Sequence, residues 1–248
     1  MLKPLLLGAS ILALTSPAFA ADMVTAAPSP APAPAPVIFN WTGFYAGVFA
    51  GGATSHATVL DVDGYNSTGY TFGYHPNGFF GGAYGGYNWQ YGHFVFGAEG
   101  ELGYLGLDGS AQYPPFVGVR GPNDSVASLK SDFYASLTGR LGYAFDNVLV
   151  YAKGGVVGLN TKVSYIDTDP TGTTLVSGTS ETKFLGGYTV GAGVEMAITP
   201  RWLLKGEYMF ADYGKISNTA LSAGGTSYTF THDLKEVHTF KVGLAYKF

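Results

Sequence analysis

The stretch His238-Thr-Phe-Lys-Val-Gly-Leu-Ala-Tyr-Lys-Phe248 closes the chain and alternates strictly between two kinds of residue. One parity is apolar and becomes aromatic towards the end: Phe240, Val242, Leu244, Tyr246 and Phe248. The other parity is small or polar: Thr239, Lys241, Gly243, Ala245 and Lys247. Because successive side chains of a strand point to opposite faces, this pattern predicts a strand with one apolar face. A soluble edge strand rarely ends on an exposed Phe, so this strand does not suit an ordinary soluble sheet.

The same alternation recurs in seven earlier segments: 41–51, 79–90, 94–104, 132–145, 148–159, 187–198 and 202–213. In the first segment both parities are apolar or small, so its orientation is ambiguous. Tight turns at 91–93, 146–147 and 199–201 alternate with long, polar, Gly-rich connections at 55–77, 106–131, 160–182 and 214–234. We therefore predict an all-β fold, an eight-stranded antiparallel up-and-down transmembrane β-barrel with short periplasmic turns and long extracellular loops.

Composition supports a membrane location for this barrel. Aromatic residues make up 15% of the chain and charged residues only 12%, yet no apolar run is long enough for a membrane helix. A closed barrel is the other structure that satisfies every backbone polar group in lipid. The rival is a soluble lipocalin-type barrel, which would place the apolar parity inside. The net charge of −4 gives no indication of a nucleic-acid partner.

The aromatic positions distinguish these two barrels. Aromatic side chains gather beside the tight turns and the C-terminus, where we expect one membrane-interface belt: Tyr87, Trp89, Phe94, Tyr143, Phe145, Trp202 and Tyr246. Tyr104 and Phe133, near the long connections, are candidates for the opposite belt. Rings of aromatics at both ends are typical of a membrane barrel.

The N-terminal segment predicts export. Residues 1–20 combine Lys3, an apolar core and the small-x-small site Ala18-Phe-Ala20, which is typical of a secretory signal peptide. Residues 21–39 alternate Pro with Ala or Ser and predict an extended periplasmic linker, so the barrel domain is 40–248. The linker is either a disordered leader or a spacer that contacts peptidoglycan. Both mature termini would then be periplasmic, with the protein integral to the outer membrane.

If the apolar parity faces lipid, the other parity fills the lumen with a charge network: Glu99, Glu101, Arg140, Lys153, Glu195, Lys205, Glu207, Lys241 and Lys247. Charges in so small a space need partners, and we expect Glu99 or Glu101 beside Arg140, and Glu207 beside Lys205 or Lys241. Eight strands favour a plugged lumen over the alternative, a narrow porin whose glycines leave room for solutes.

The five histidines show no metal-ligand spacing, and His232-Asp233 is a weak catalytic candidate. We therefore predict no enzyme activity, no metal and no cofactor.

Several motifs together resemble a known family: Asn40-Trp-Thr-Gly-Phe-Tyr-Ala-Gly47, Gly85-Gly-Tyr-Asn-Trp-Gln90, Gly139-Arg-Leu-Gly-Tyr-Ala-Phe-Asp146, Thr189-Val-Gly-Ala-Gly-Val-Glu195 and Val242-Gly-Leu-Ala-Tyr-Lys-Phe248. From Asn40 to Phe248 the chain resembles the small porin-like outer-membrane (immunogenic) proteins of alphaproteobacteria, which share the opacity-type barrel domain. The resemblance implies a surface barrel that contacts outer-membrane lipid and lipopolysaccharide. Its members are structural proteins, antigens or porins. It also implies that the assembly machinery reads Phe248. Some members bind hemin, for which the loop candidates here are Tyr70, Tyr74, His75 and Tyr113.

Deleting Phe248 should lower the yield of barrel in the outer membrane, because the terminal aromatic is expected to direct assembly. Unfolding of barrel that has already folded should change little, since one rim side chain is lost. Outer-membrane fractionation and denaturant unfolding of the purified variant measure the two effects separately. Equal outer-membrane yields of the wild type and the truncated chain would refute the assembly role.

Overall fold

The computed structural model describes residues 39–113, 125–168, 171–179 and 182–248. The strands are β1 (Gly43–Asp61), β2 (Thr71–Tyr74), β3 (Asn77–Tyr91), β4 (Phe94–Leu105), β5 (Asp108–Gln112), β6 (Ser125–Phe145), β7 (Val148–Thr168), β8 (Thr174–Thr179), β9 (Lys183–Ala197), β10 (Trp202–Asp212), β11 (Gly214–Ser222) and β12 (Ser227–Lys247). In this part of the chain, no helix has the length and apolar content needed to cross a membrane. The expected signal peptide, and the linker as far as residue 38, lie outside the described residues.

Eight of these strands form a closed antiparallel ring in the order β1, β3, β4, β6, β7, β9, β10, β12. The ring closes where β12 returns to β1, with Tyr246 opposite Ala46 and the Phe248 N–H donating to the Phe44 carbonyl at 3.0 Å. The all-β, eight-strand antiparallel prediction is thus confirmed. The two-residue turns and the C-terminus share one end of the ring, which we call the short-turn end.

The ambiguous parity of β1 is settled by burial. Tyr45 and Phe49 are buried inside the ring, whereas Phe44 and Val48 are exposed on its outer wall. The exposed apolar side chains form a band around the ring, which includes Phe79, Phe96, Leu102, Leu137, Leu141, Val150, Val156, Val190, Val194, Leu204, Phe240, Val242 and Leu244. On β1 the band spans about nine residues, the length that a tilted strand needs to cross a bilayer.

Much of the four segments predicted as long loops forms β-strands. β1, β6, β7 and β12 continue past the apolar band, and β2, β5, β8 and β11 pair with these continuations. Beyond the band β1 alone adds about 30 Å of strand. We call this part the extended end. The Ser, Thr and Gly content suggested loops, but inward positions such as Val59 and Ile216 keep the period of two.

The outward residues of the wall change from apolar to polar where the extended end begins. On β1 the outward residues change from Phe44 and Val48 to Thr54, His56 and Thr58. The β1–β12 register shifts between Thr54 and His56, and Glu236 on β12 takes a positive φ of 53°. Bulges of this kind add twist and bend the wall. The inside changes too, from a cluster of eight charged side chains in the band to a mostly apolar core beyond it.

The core of the extended end encloses a histidine. Phe230 stacks on Tyr165 with ring centroids 3.7 Å apart, and His232 is fully buried beside them on β12. Its Nδ1 lies 3.2 Å from the Tyr74 hydroxyl. Burial lowers the pKa of His232 to about 4, because an imidazolium loses its hydration there.

Acid should therefore open the extended end. The pKa of His232 in the folded state lies below the ordinary value of 6.5. The contribution of neutral His232 to the stability of the extended end is therefore fully present above pH 6.5 and decreases as pH falls towards 4. The loss at pH 4 should reach at most about 3 kcal/mol. Native-state hydrogen exchange of β11 and of 227–234, corrected for intrinsic rates, measures it. A His232→Leu variant should lack this pH dependence; the same dependence in the variant would show that other groups cause it.

Candidate functional site: the charged interior

Eight ionisable side chains point into the ring at the level of the apolar band. They are Glu99 and Glu101 on β4, Arg140 on β6, Lys153 on β7, Glu195 on β9, Lys205 and Glu207 on β10, and Lys241 on β12. Each is at most 5% exposed. Four carboxylates face four basic groups, so this layer carries no formal net charge.

Lys153 lies at the centre of this charged layer. Its Nζ is 2.9 Å from Glu99 Oε1, 2.7 Å from Glu101 Oε1 and 2.7 Å from Glu207 Oε1. The Lys153 ammonium donates hydrogen bonds to Glu99 and Glu101, and Glu207 lies at ion-pair distance. These three glutamates are also the described side chains grouped closely enough to hold a metal ion. The Lys153 ammonium supplies the positive charge at that point, so the group does not need a metal.

Two further lysines join the same carboxylates from the other side of the ring. Lys241 Nζ lies 2.5 Å from Glu101 and 2.7 Å from Glu207. Lys205 Nζ lies 2.9 Å from Glu99 and 3.7 Å from Glu207. Lys205 also lies over the Tyr84 ring, 3.6 Å from its centroid, which adds a cation–π contact.

Arg140 forms the second centre of the layer. Its Nη1 donates to Glu195 Oε2 at 3.0 Å and lies 3.6 Å from Glu99, while its Nε donates to Asn88 Oδ1 at 2.9 Å. The guanidinium lies between the rings of Tyr45 and Tyr151, 4.7 and 5.1 Å from their centroids. Sequence reasoning did not identify Glu195 as its partner, or the tyrosines around it.

Tyrosine hydroxyls complete the hydrogen bonding of three carboxylates. Tyr45 donates to Glu99 at 2.9 Å, Tyr151 to Glu207 at 2.7 Å and Tyr134 to Glu101 at 3.2 Å. Nearby glycines give these rings their space. A Cβ on Gly86 would lie 2.3 Å from the Tyr45 hydroxyl, and one on Gly193 would lie 2.6 Å from that of Tyr151. The tyrosine side chains therefore fill the volume that we expected glycines to leave open.

Apolar side chains cover the charged layer on both sides. Towards the short-turn end lie the fully buried residues Trp41, Val95, Leu149, Leu203 and Ala245. Towards the extended end lie Phe80, Leu105, Leu159 and Val237, which are equally buried. Trp41 precedes β1 rather than beginning it, and its backbone N–H donates to Gln90 Oε1 at 2.7 Å. The ion pairs are thus separated from both mouths of the ring by apolar layers.

Lys247 does not join this network, contrary to expectation. It has the inward parity but lies at the rim of the short-turn end, half-buried, with Nζ 5.7 Å from the Phe39 ring centroid. Within the described ranges it has no carboxylate at ion-pair distance. The reason is axial distance: six residues of β12 separate it from Lys241.

The aromatic belt residues lie on the outer wall of the short-turn end. Trp89, Phe94, Phe145 and Trp202 are exposed, and Tyr87 and Tyr246 are half-exposed. Phe94 contacts Tyr143, which contacts Phe145, and Trp202 contacts Tyr246, with centroids 4.7–5.5 Å apart. Arg201 Nη1 donates to the Tyr246 hydroxyl at 2.8 Å. Phe248 continues this row, 5.3 Å from Tyr246.

The hemin candidates do not share a surface. Tyr74 and Tyr113 are buried in the extended end, Tyr70 packs against Tyr113 with centroids 4.9 Å apart, and only His75 is exposed.

The side chains of the His232-Asp233 pair do not form a common site, because adjacent strand residues point to opposite faces. His232 is inside, whereas the Asp233 carboxylate binds Lys235 on the outer wall at 3.0 Å.

Residues 12–248 match the family described as outer membrane protein beta-barrel domain. The chain belongs to this family. The 31 kDa outer-membrane immunogenic protein of Brucella melitensis biotype 1 is 32% identical over 253 residues, which cover 100% of both chains. The 22 kDa outer membrane protein of Rhizobium leguminosarum bv. viciae is 34% identical, over 84% of this chain and 79% of its own.

These matches confirm the resemblance inferred from the motifs, and they place the chain in the outer membrane. Likeness to solved structures is weaker. The outer membrane protein OprG from Pseudomonas aeruginosa is 10% identical, with a TM-score of 0.48, over 85% of this chain and 98% of that one. In this setting the exposed apolar band is the surface that contacts lipid.

Replacing Lys153 by Met should destabilise the barrel by about 3–5 kcal/mol, because three buried carboxylates lose a shared partner. Lys130→Met is the matched control, since Lys130 pairs with Asp108 at 3.3 Å on the exposed wall. That exposed pair should contribute less than about 1 kcal/mol. Urea unfolding of both variants in lipid vesicles measures the difference, and equal stabilities would contradict a tightly coupled interior.

Proposed function

We propose that this outer-membrane barrel has a structural and surface-interaction role and does not conduct solutes. The observation that carries the proposal is the filled interior: a charge-balanced layer of four carboxylates and four basic groups, covered by apolar side chains on both sides. The interior of an eight-stranded barrel is just wide enough for side chains to fill. An ion would have to separate Lys153 from three carboxylates in order to pass.

We also propose an orientation for the barrel. The short-turn end faces the periplasm and the extended end faces outwards, as is usual for outer-membrane barrels. Phe39 and Phe248, where the described barrel begins and ends, both lie at the short-turn end, near the Lys247 ammonium and Phe44 respectively. A signal peptide at 1–20 and a Pro/Ala linker at 21–39 fit this orientation, with the linker near peptidoglycan and Phe248 available to the assembly machinery.

The extended end is the proposed contact surface. Its paired strands and internal core form a firm structure that projects beyond the lipid, with polar residues such as Thr54, Thr58 and Thr219 on its outer wall. Its lysines would lie near the headgroups of lipopolysaccharide. The immunogenic character named for the Brucella relative supports exposure of the corresponding part of that protein. We assign no catalytic role, because the four glutamates of the charged layer are paired with lysine and arginine.

Planar-bilayer recording of the purified, folded chain tests the proposal. We expect no discrete conductance from the wild type, because both apolar layers and the ion pairs block the interior. Discrete wild-type conductance that changes with Arg140→Ala would establish the narrow porin instead. Any reproducible unitary conductance step would suffice for this result. The Lys130→Met variant controls for charge on the outer wall.

A further inference from the structure

Two histidines that are far apart in sequence lie side by side on the outer wall of the extended end. His56 is on β1 and His75 directly follows β2, and His56 Nδ1 lies 3.0 Å from His75 Nε2. The neighbours Ser55, Ala57 and Tyr74 are buried inside the ring. Alternation therefore turns both imidazoles outwards, where they are exposed.

Backbone pairing of the flanking residues on both sides fixes the positions of the two histidines. Ala57 is opposite Tyr74 in the β1–β2 register, which places His56 opposite His75 when the register is continued by one residue. On the other side, the Ser55 N–H donates to the Pro76 carbonyl at 2.8 Å. The Cα positions are thus set by strand pairing, and only the side-chain rotamers remain free to adjust.

The distance between the two nitrogens suits a shared metal ion. Imidazole nitrogens bind Zn²⁺ at about 2.0–2.1 Å, so two ligands on one ion lie about 2.9–3.4 Å apart. Imidazole is also a preferred ligand of Cu²⁺ and Ni²⁺. We propose that His56 and His75 form a surface site for a divalent transition-metal cation, with water at its remaining positions. Each ring would then carry its proton on the nitrogen that does not face the ion.

The charged groups around the pair are compatible with a bound cation. Lys235 lies opposite His56 on β12, but its ammonium is 3.0 Å from the Asp233 carboxylate. Asp233 also lies 3.8 Å from Lys215. Because the carboxylate partly offsets the two lysines, the field at the histidines is less repulsive than the lysines alone would make it. The separation of 19 residues explains why sequence spacing gave no metal motif.

Zn²⁺ titration of the full chain, without a histidine tag and folded in detergent, tests the proposal by isothermal calorimetry. We expect one saturable site for Zn²⁺. His56→Gln and His75→Gln should each weaken binding by about tenfold or more, since each removes one of two protein ligands. His93→Gln is the matched control, because His93 is an exposed histidine at the short-turn end.

Electron paramagnetic resonance with Cu²⁺ gives an independent readout. The wild type should show two imidazole nitrogens, and each glutamine variant should show one. All variants should keep the folded electrophoretic mobility of the barrel, since both side chains are exposed. The proposal is overturned if the wild type shows no saturable Zn²⁺ binding, in which case the pair is a hydrogen bond only. It is equally overturned if the glutamine variants bind as tightly as His93→Gln.

Discussion

Pairing of charges in a buried space is the constraint on which this structure depends. A carboxylate or ammonium loses several kcal/mol of hydration when it is buried, and this loss is offset only where partners are close and well placed. Here Lys153 reaches three glutamates and Arg140 reaches two. Tyrosine hydroxyls donate to three of the four carboxylates. The charges come from β4, β6, β7, β9, β10 and β12, so a correct set of pairs exists only when the ring is closed in this register.

The two halves of the wall follow opposite rules on the same strands. In the band, apolar residues face outwards to lipid and polar residues face inwards. Beyond the band, residues such as Thr58 face outwards while Val59 and Tyr165 fill the inside. The change coincides with the register shift at Thr54–His56, which allows one strand to serve both environments. The extended end thus has the polar-out, apolar-in arrangement of a soluble barrel, and in the proposed orientation it carries the surface exposed outside the membrane.

Alternation in the sequence predicted the ring strands and, for all of them except β1, which face points inwards, because a period of two depends only on local geometry. Ion-pair partners depend on strand stagger, which the sequence does not reveal. Arg140 was expected beside Glu99 or Glu101, yet Glu195, two strands away, is nearest at 3.0 Å. Trp41 looked like the first strand residue, whereas it precedes β1 and is fully buried. The sequence did not predict the additional strands at the extended end, because Ser, Thr and Gly fit turns and the polar outer faces of strands equally well.

Chemical access to the charged layer tests the sealed interior most directly, since the chain has no cysteine of its own. Thr138 points inwards beside Glu99, with its hydroxyl 3.3 Å from the Glu99 carbonyl, whereas Thr219 is exposed on β11. In folded barrels, a charged methanethiosulfonate should modify Thr219→Cys rapidly and Thr138→Cys only after unfolding. Modification of folded Thr138→Cys at a rate within about tenfold of Thr219→Cys would show that water and ions reach the layer, and would contradict the account.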